Sequence, residues 1–134
     1  MFKFYITAFL SIFLFTFEAN CNENNEENKT FQTVQGSLDI PLAKGLEVKN
    51  DNIINFDSLN GTILSISYET KIRLTKIKDF YLKTLPQMGW EIIANEFLDN
   101  TDIVYLKRDD EALEIEFSTR EELKTVKFFG KLDS

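Results

Sequence analysis

The strongest constraint on the fold is a change in the spacing of apolar residues along the chain. In one segment near the middle they recur at helical spacing, which predicts a single amphipathic helix. On both sides of that segment, short apolar runs alternate with polar residues, as in half-buried strands. We therefore predict an α+β domain, with the helix packed on an antiparallel sheet of five to six strands in the order ββαββββ. The apolar positions of the helix are Ile77, Phe80, Tyr81, Leu85 and Met88.

The predicted helix has signals at both ends. Thr75 belongs to the residue types that cap helix N-termini, because its side-chain oxygen can accept a free amide of the first turn. Pro86 lacks an amide hydrogen and crowds the preceding turn, so the regular helix should end, kink or tighten around residues 85–87. Gly89 can then adopt the left-handed conformation that ends a helix, and Trp90 opens the next strand.

Alternation after the helix predicts four strands. Between the second and third of these strands, a tight turn at residues 109–110 would pair Leu106 with Leu113 and Val104 with Ile115. This register places all four side chains on one buried face. In the last strand, Val126 and Phe128 face the core, whereas Phe129 lies on the opposite, partly wet face and is a candidate contact residue. The predicted strands cover residues 90–94, 103–107, 112–118 and 125–130.

The hairpin before the helix contains the pair Asn60-Gly61. A two-residue turn at this pair would place Phe56 opposite Ser65, an apolar residue against a polar one. A three-residue loop over residues 59–61 pairs Phe56 with Leu64 instead, and puts Gly61 at the left-handed position of a bulge. We therefore predict the three-residue loop with Phe56 in the core, preceded by an edge segment that turns at Pro41 and Gly45.

The first seventeen residues are almost wholly apolar, carry one early positive charge at Lys3 and give way to polar residues at Glu18. This pattern is typical of a secretory signal peptide, here residues 1–21, and predicts export to the periplasm or to the periplasmic side of a membrane. An uncleaved N-terminal anchor is the alternative, although the run is shorter than the 20 or so residues of a membrane-spanning helix. Cys21 lies where bacterial lipoproteins carry an acylated cysteine and is a candidate for lipidation, but Glu18 and Asn20 depart from the usual lipoprotein pattern.

The composition limits the organisation and the chemistry. Residues 22–37 are rich in Asn and Glu, which predicts a disordered spacer, and residues 38–134 are long enough for one domain. A single Cys allows no intramolecular disulfide, and the absence of His excludes histidine zinc sites and Ser-His-Asp or Cys-His catalysis. A net charge of −7 argues against binding to nucleic acid.

Basic residues cluster in and just before the predicted helix. Lysines in a first helical turn oppose the helix macrodipole, so local stability does not account for them. They are candidates for contact with anionic lipid headgroups or with an acidic partner, and the alternative is a solvated basic face. These residues are Lys71, Arg73, Lys76, Lys78 and Lys83.

Acidic residues dominate the stretch from 96 to 122. Carboxylates can bind calcium or act in pairs as acid and base, but the stretch lacks the ligand spacing of an EF-hand loop. We predict a solvated acidic surface, with a carboxylate-based hydrolase as a less favoured alternative. The sequence also lacks a phosphate-binding loop and a Ser-centred nucleophile elbow, so we expect no cofactor, no metal and no enzymatic activity.

Four segments carry a resemblance to a known group: PLAKGLEV, INFDSLNGTI, FYLKTLPQMGW and LEIEF. Together they resemble small exported alphaproteobacterial proteins of unassigned function, over residues 38–130. The resemblance implies export but brings no activity or site residue. The arrangement of signal, spacer and one helix on an antiparallel sheet is also similar to the small domains of outer-membrane assembly lipoproteins, an analogy of fold alone.

The sequence as a whole favours an exported, non-enzymatic cell-envelope protein that acts by binding another envelope protein or a membrane surface. The alternative is a small carrier that holds an apolar ligand between the helix and the sheet.

Overall fold

The computed structural model describes residues 32–37, 39–48 and 53–133 and has the predicted α+β class. Its described part contains seven strands rather than five to six, because residues in the predicted edge segment form a strand of their own. In chain order the elements are β1 (Leu46–Val48), β2 (Ile54–Ser58), β3 (Gly61–Thr70), α1 (Leu74–Gln87), β4 (Glu91–Leu98), β5 (Thr101–Arg108), β6 (Glu111–Arg120) and β7 (Leu123–Leu132).

All the strands belong to one antiparallel sheet, in the order β1-β3-β7-β6-β5-β4. Strands β1 and β2 both pair with the same edge of β3. Strand β2 pairs with the first half of β3, and β1 pairs with its last three residues. The helix packs on one face of this sheet, and most of the described side chains on the other face are exposed or half-buried. The sheet therefore has a helix side, which holds the core, and an outer face.

Strands β4 to β7 form a meander of hairpins, as the alternation predicts. Leu106 pairs with Leu113 and Val104 with Ile115, and all four side chains are buried, so the predicted register is confirmed. The strands extend further than predicted, because each connecting turn is only two residues long. The turns at residues 99–100 and 121–122 have positive φ at both positions, which suits the right-handed twist of the flanking strands.

The register predicted for the β2–β3 hairpin is wrong. Ser58 pairs with Gly61 across a two-residue loop, Leu59–Asn60, and Phe56 pairs with Ile63 on the outer face, where Phe56 is 61% exposed. The reason lies in β7. A Cβ on Gly61 would be 2.6 Å from the carbonyl oxygen of Leu132, so Gly61 opens strand β3 against β7 and is not part of the loop.

The helix begins at Leu74, with Arg73 at the N-cap and no side-chain cap hydrogen bond, so the cap predicted at Thr75 is not formed. Ile77, Tyr81 and Leu85 are buried against the sheet as predicted. Phe80, predicted to join them, is 36% exposed at the edge of the apolar stripe. The Tyr81 ring meets Phe128 of β7 edge to face, with ring centroids 5.3 Å apart.

The helix ends as predicted. Pro86 lies in the last turn, and Gly89 follows with φ of +90°. The Gly89 amide donates to the Pro86 carbonyl (3.2 Å), and the Trp90 amide donates to the Leu85 carbonyl (3.1 Å). These two bonds form a Schellman motif, which satisfies carbonyls that the helix end leaves free and delivers the buried Trp90 to β4.

The start of the domain differs from the prediction. The predicted spacer includes residues 32–37, yet Val34 is fully buried and belongs to the core together with Ile40. The Val34 amide donates to the Ile40 carbonyl (2.8 Å), and the Leu42 amide donates to the Gln32 carbonyl (2.7 Å). The few apolar residues of this polar segment are therefore enough to join it to the fold. The predicted signal peptide, Cys21 and the rest of the spacer lie outside the described residues.

Candidate anion-binding groove

An open groove of about 220 Å³ runs along the first turns of α1. Its walls come from three places in the chain: the turn before β1, the connection from β3 to α1, and the helix itself. Four apolar residues and two lysines line it. They are Ala43, Lys44, Ile72, Lys76, Ile77 and Phe80.

The turn before β1 is held against the helix by two features. The Tyr81 hydroxyl accepts a hydrogen bond from the Ala43 amide (3.0 Å) and donates one to the Pro41 carbonyl (2.9 Å). Gly45 has φ of +91°, and a Cβ there would be 2.6 Å from the Cδ1 atom of Ile72. Only glycine allows both this backbone conformation and this close approach. Lys44, between these two contacts, is therefore placed at the groove.

The lysines of the groove have no acidic partner within the part of the chain that the structure describes. Lys44 and Lys76 are both exposed, and neither lies at ion-pair distance from a described carboxylate. Asp79 lies three residues after Lys76 and is also exposed, but the two side chains form no ion pair. The groove therefore combines an apolar floor with two positive charges at its rim that no described carboxylate pairs with.

The basic residues predicted from sequence separate into two groups. Arg73, Lys76 and Lys83 recur every three or four residues with Phe80, and all four are exposed on one stripe of α1. Lys78 lies on the sheet side of the helix, where its Nζ atom is 2.6 Å from a carboxylate oxygen of Asp102.

Lys71 belongs to a different cleft at the end of the sheet. That cleft has about 400 Å³ of space and mixed charges. Its lining residues are Glu47, Glu69, Thr70, Lys71, Glu122, Leu123 and Lys124. The structure therefore does not bring the five predicted residues together. It adds Lys44, which no sequence pattern singles out because its turn is distant from the helix in the chain.

The N-terminus of the helix intensifies the positive character of this region. Its first turn contains no acidic residue, and its N-cap side chain accepts no amide. Lys76 lies close to this positive end of the macrodipole, which costs helix stability. An anion bound at the rim of the groove would relieve that cost.

The outer face of the sheet carries a second exposed feature. Ile54, Phe56 and Ile63 of the β2–β3 hairpin adjoin Phe129 of β7, which is 48% exposed as the alternation predicts. Solvent-exposed apolar groups of this kind mark contact surfaces in many proteins. Nothing in the structure indicates what covers this one.

Carboxylates also gather on the outer face, around Tyr105. Partial burial raises the pKa of Glu114, and neighbouring Glu116 raises it further through a hydrogen bond and charge repulsion. Burial and nearby glutamates, Glu114 and Glu96 among them, raise the pKa of the Tyr105 phenol. These groups stand on an open sheet face, and no set of described residues is arranged to hold a metal ion.

Compared with models of known protein families, with curated proteins and with solved structures, the chain matches none. Within the described ranges, no helix has the length and apolar character that are needed to cross a membrane.

Proposed function

We propose that this protein is an exported, non-enzymatic component of the cell envelope that binds anionic membrane surfaces through the groove beside α1. The observation that carries the proposal is that Lys44 and Lys76, for which the described residues supply no acidic partner, lie above an apolar floor. A strongly hydrated ammonium group is well suited to a phosphate, and an apolar floor suits the methylene groups beside a lipid headgroup.

The entry point of the chain supports a membrane as the partner. The first residue described is Gln32, whose carbonyl accepts the amide of Leu42, one residue before the groove. Ten residues, 22–31, separate it from Cys21, a length that spans at most about 35 Å. If an uncleaved signal segment or a lipid on Cys21 holds the N-terminus at a membrane, the groove is close to that membrane.

The remaining basic residues of the stripe extend the contact along the helix. Arg73 and Lys83 lie on the same exposed side as Lys76, with Phe80 between them. Each Lys or Arg near an anionic membrane surface contributes about 1 kcal/mol of binding free energy, and the contribution decreases with salt. Four such residues are enough for a weak, reversible contact that an N-terminal anchor would strengthen.

The carrier alternative has less support. The space between helix and sheet, lined by Tyr81, Leu85, Ile115 and Phe117 among others, has no room for a water molecule. An apolar ligand would have to displace close-packed side chains to enter it. The groove at the edge of the helix is already open and requires no such rearrangement.

Vesicle binding tests the proposal. The full chain, as it is isolated after export, is mixed with vesicles of phosphatidylcholine alone or with added phosphatidylglycerol, and the bound fraction is measured by flotation. An apolar N-terminus would bind both kinds of vesicle, so the increase caused by phosphatidylglycerol is the readout. We expect the double substitution Lys44→Gln/Lys76→Gln to reduce that increase in affinity roughly 30-fold, because two charges are removed.

A matched control removes the same charge elsewhere. Lys107 and Lys131 are exposed on the outer face of the sheet, away from the helix. The substitution Lys107→Gln/Lys131→Gln should leave most of the phosphatidylglycerol effect intact. If both double variants lose the same affinity, binding depends on overall charge and the proposal is wrong.

A further inference from the structure

The groove has a property that electrostatic contact with a membrane does not require: an apolar floor. Its lining includes Ala43, Ile72, Ile77 and Phe80, and only Phe80 of these is substantially exposed. A surface that only attracts lipid headgroups needs charge on a solvated face. Here the two lysines flank an apolar recess that can shield methylene groups from water.

The size of the recess limits its occupant. Its volume of about 220 Å³ is below the range of roughly 300–1,000 Å³ that is usual for pockets holding whole small-molecule ligands. At roughly 30 Å³ for each water-sized unit, it holds an apolar segment of about seven such units. This size favours the first part of one alkyl chain over the two acyl chains of a phospholipid.

The charges specify the other end of the occupant. Lys44 reaches the groove from the turn before β1, and Lys76 reaches it from the helix, so two ammonium groups flank one recess. No described carboxylate neutralises either of them. An anionic headgroup attached to an apolar chain satisfies the lysines and the floor at the same time.

We propose that the groove binds a single-chain lipid phosphate, with its phosphate at Lys44 and Lys76 and the first methylenes of its chain along Ile72, Ile77 and Phe80. A phosphate monoester carries more negative charge than a carboxylate and suits two lysines better. The inference rests on the proposed function, because it uses the same two lysines, and it names the lipid class that the site distinguishes.

A chain-length series of soluble alkyl phosphates tests the inference. Butyl, hexyl, octyl and decyl phosphate are titrated below their micelle concentrations into the full chain, and the dissociation constants are measured by calorimetry. Each added methylene should tighten binding roughly fourfold until the recess is filled at about seven carbons, and further methylenes should add little. Equal affinity for inorganic phosphate and octyl phosphate would overturn the inference, and so would equal affinity for octyl glucoside.

Variants of the floor and of the rim separate the two contributions. Phe80→Ala removes one wall of the recess, so we expect it to flatten the chain-length dependence of alkyl phosphate binding. Ala43→Met fills the recess from the opposite side and should have the same effect. Near-ultraviolet circular dichroism shows whether each variant is folded. If Ala43→Met does not fold, Phe80→Ala alone tests the contribution of the apolar floor.

The outcomes distinguish this inference from the proposed function. A flat chain-length series with an intact, lysine-dependent response to phosphatidylglycerol contradicts the inference and leaves the function standing. A steep series without any response to phosphatidylglycerol contradicts membrane binding and supports a site for single-chain lipids in solution. Octanoate that binds as tightly as octyl phosphate would overturn the assignment of the headgroup as phosphate.

Discussion

The Tyr81 hydroxyl lies 3.0 Å from the Ala43 amide nitrogen and 2.9 Å from the Pro41 carbonyl oxygen, and so joins the centre of the helix to the turn that carries Lys44. Tyr81 is only 1% exposed, so both bonds are shielded from water. One side chain thereby anchors the helix in the core and positions a wall of the groove.

Tyr81→Phe should weaken both the fold and the groove. The substitution leaves a buried amide and a buried carbonyl without a partner, at a cost of about 2–4 kcal/mol in the free energy of unfolding. Urea denaturation measures that cost, and calorimetry with octyl phosphate measures the effect on the groove. Tyr68→Phe is the control. The Tyr68 hydroxyl accepts a hydrogen bond from the Gln35 amide away from the groove, so its removal should not affect binding of octyl phosphate. Equal losses of binding in both variants would contradict the role of Tyr81.

Alkaline pH should destabilise the fold through the same residue. Burial raises the pKa of Tyr81 above its ordinary value near 10, because the phenolate would lose its hydration. The unfolded chain therefore releases this proton at a lower pH than the folded protein, so the contribution to stability is complete below about pH 10 and decreases above it. The free energy of unfolding, measured by urea denaturation between about pH 9 and 11, should fall less steeply with pH in Tyr81→Phe, by up to about 1.4 kcal/mol per pH unit. Identical slopes in the two proteins would refute this assignment.

Arg73→Asp should stabilise the protein while weakening its contact with anionic vesicles. Arg73 occupies the N-cap with φ of −57° and ψ of 125° but forms no cap hydrogen bond. An aspartate there can accept a free amide of the first turn and interacts favourably with the helix macrodipole, for a gain of about 1 kcal/mol. Thermal unfolding measures the gain, and flotation measures the loss of binding. Arg73→Asn separates the effects, since it adds the cap without a negative charge and should lose less affinity.

Arg108→Met should destabilise the junction between helix and sheet. The Arg108 guanidinium contacts Asp39 (2.6 Å) and the nearly buried Glu111 (2.7 Å), and it stacks on Trp90 at 4.4 Å. Removing it leaves the Glu111 carboxylate buried without its cation, which costs about 3 kcal/mol. Trp90 is the only tryptophan, so its fluorescence reports the change directly. Arg108→Met/Glu111→Gln should recover part of the loss, and a double variant as unstable as the single one would rule out the unpaired charge as the cause.

Local sequence was sufficient where the decisive contacts lie between neighbours in the chain. Leu106 and Leu113 pair as predicted, because a two-residue turn joins two strands whose alternation defines one buried face. The β2–β3 hairpin has equally clear alternation, yet its register was wrong. There the position of Gly61 depends on the carbonyl of Leu132, at the far end of the chain, which no local pattern reveals.

The candidate site shows the same division. The basic character around α1 was predictable from the sequence, since Arg73, Lys76 and Lys83 follow one helical stripe. Helical spacing also places Lys78 on the sheet side, but its pairing with Asp102 depends on where β5 lies. Lys44 was missed because only the packing of its turn on the helix brings it to the groove.

The sequence by itself determined the α+β class, the end of the helix at Pro86 and Gly89 and the register of the β5–β6 hairpin. These features depend on backbone geometry and side-chain alternation within a few residues. The tertiary structure decided the exposure of Phe56, the partner of Lys78 and the existence of the groove. Each of these requires segments distant in the chain to come together, and the free energy of such contacts depends on the whole packed arrangement.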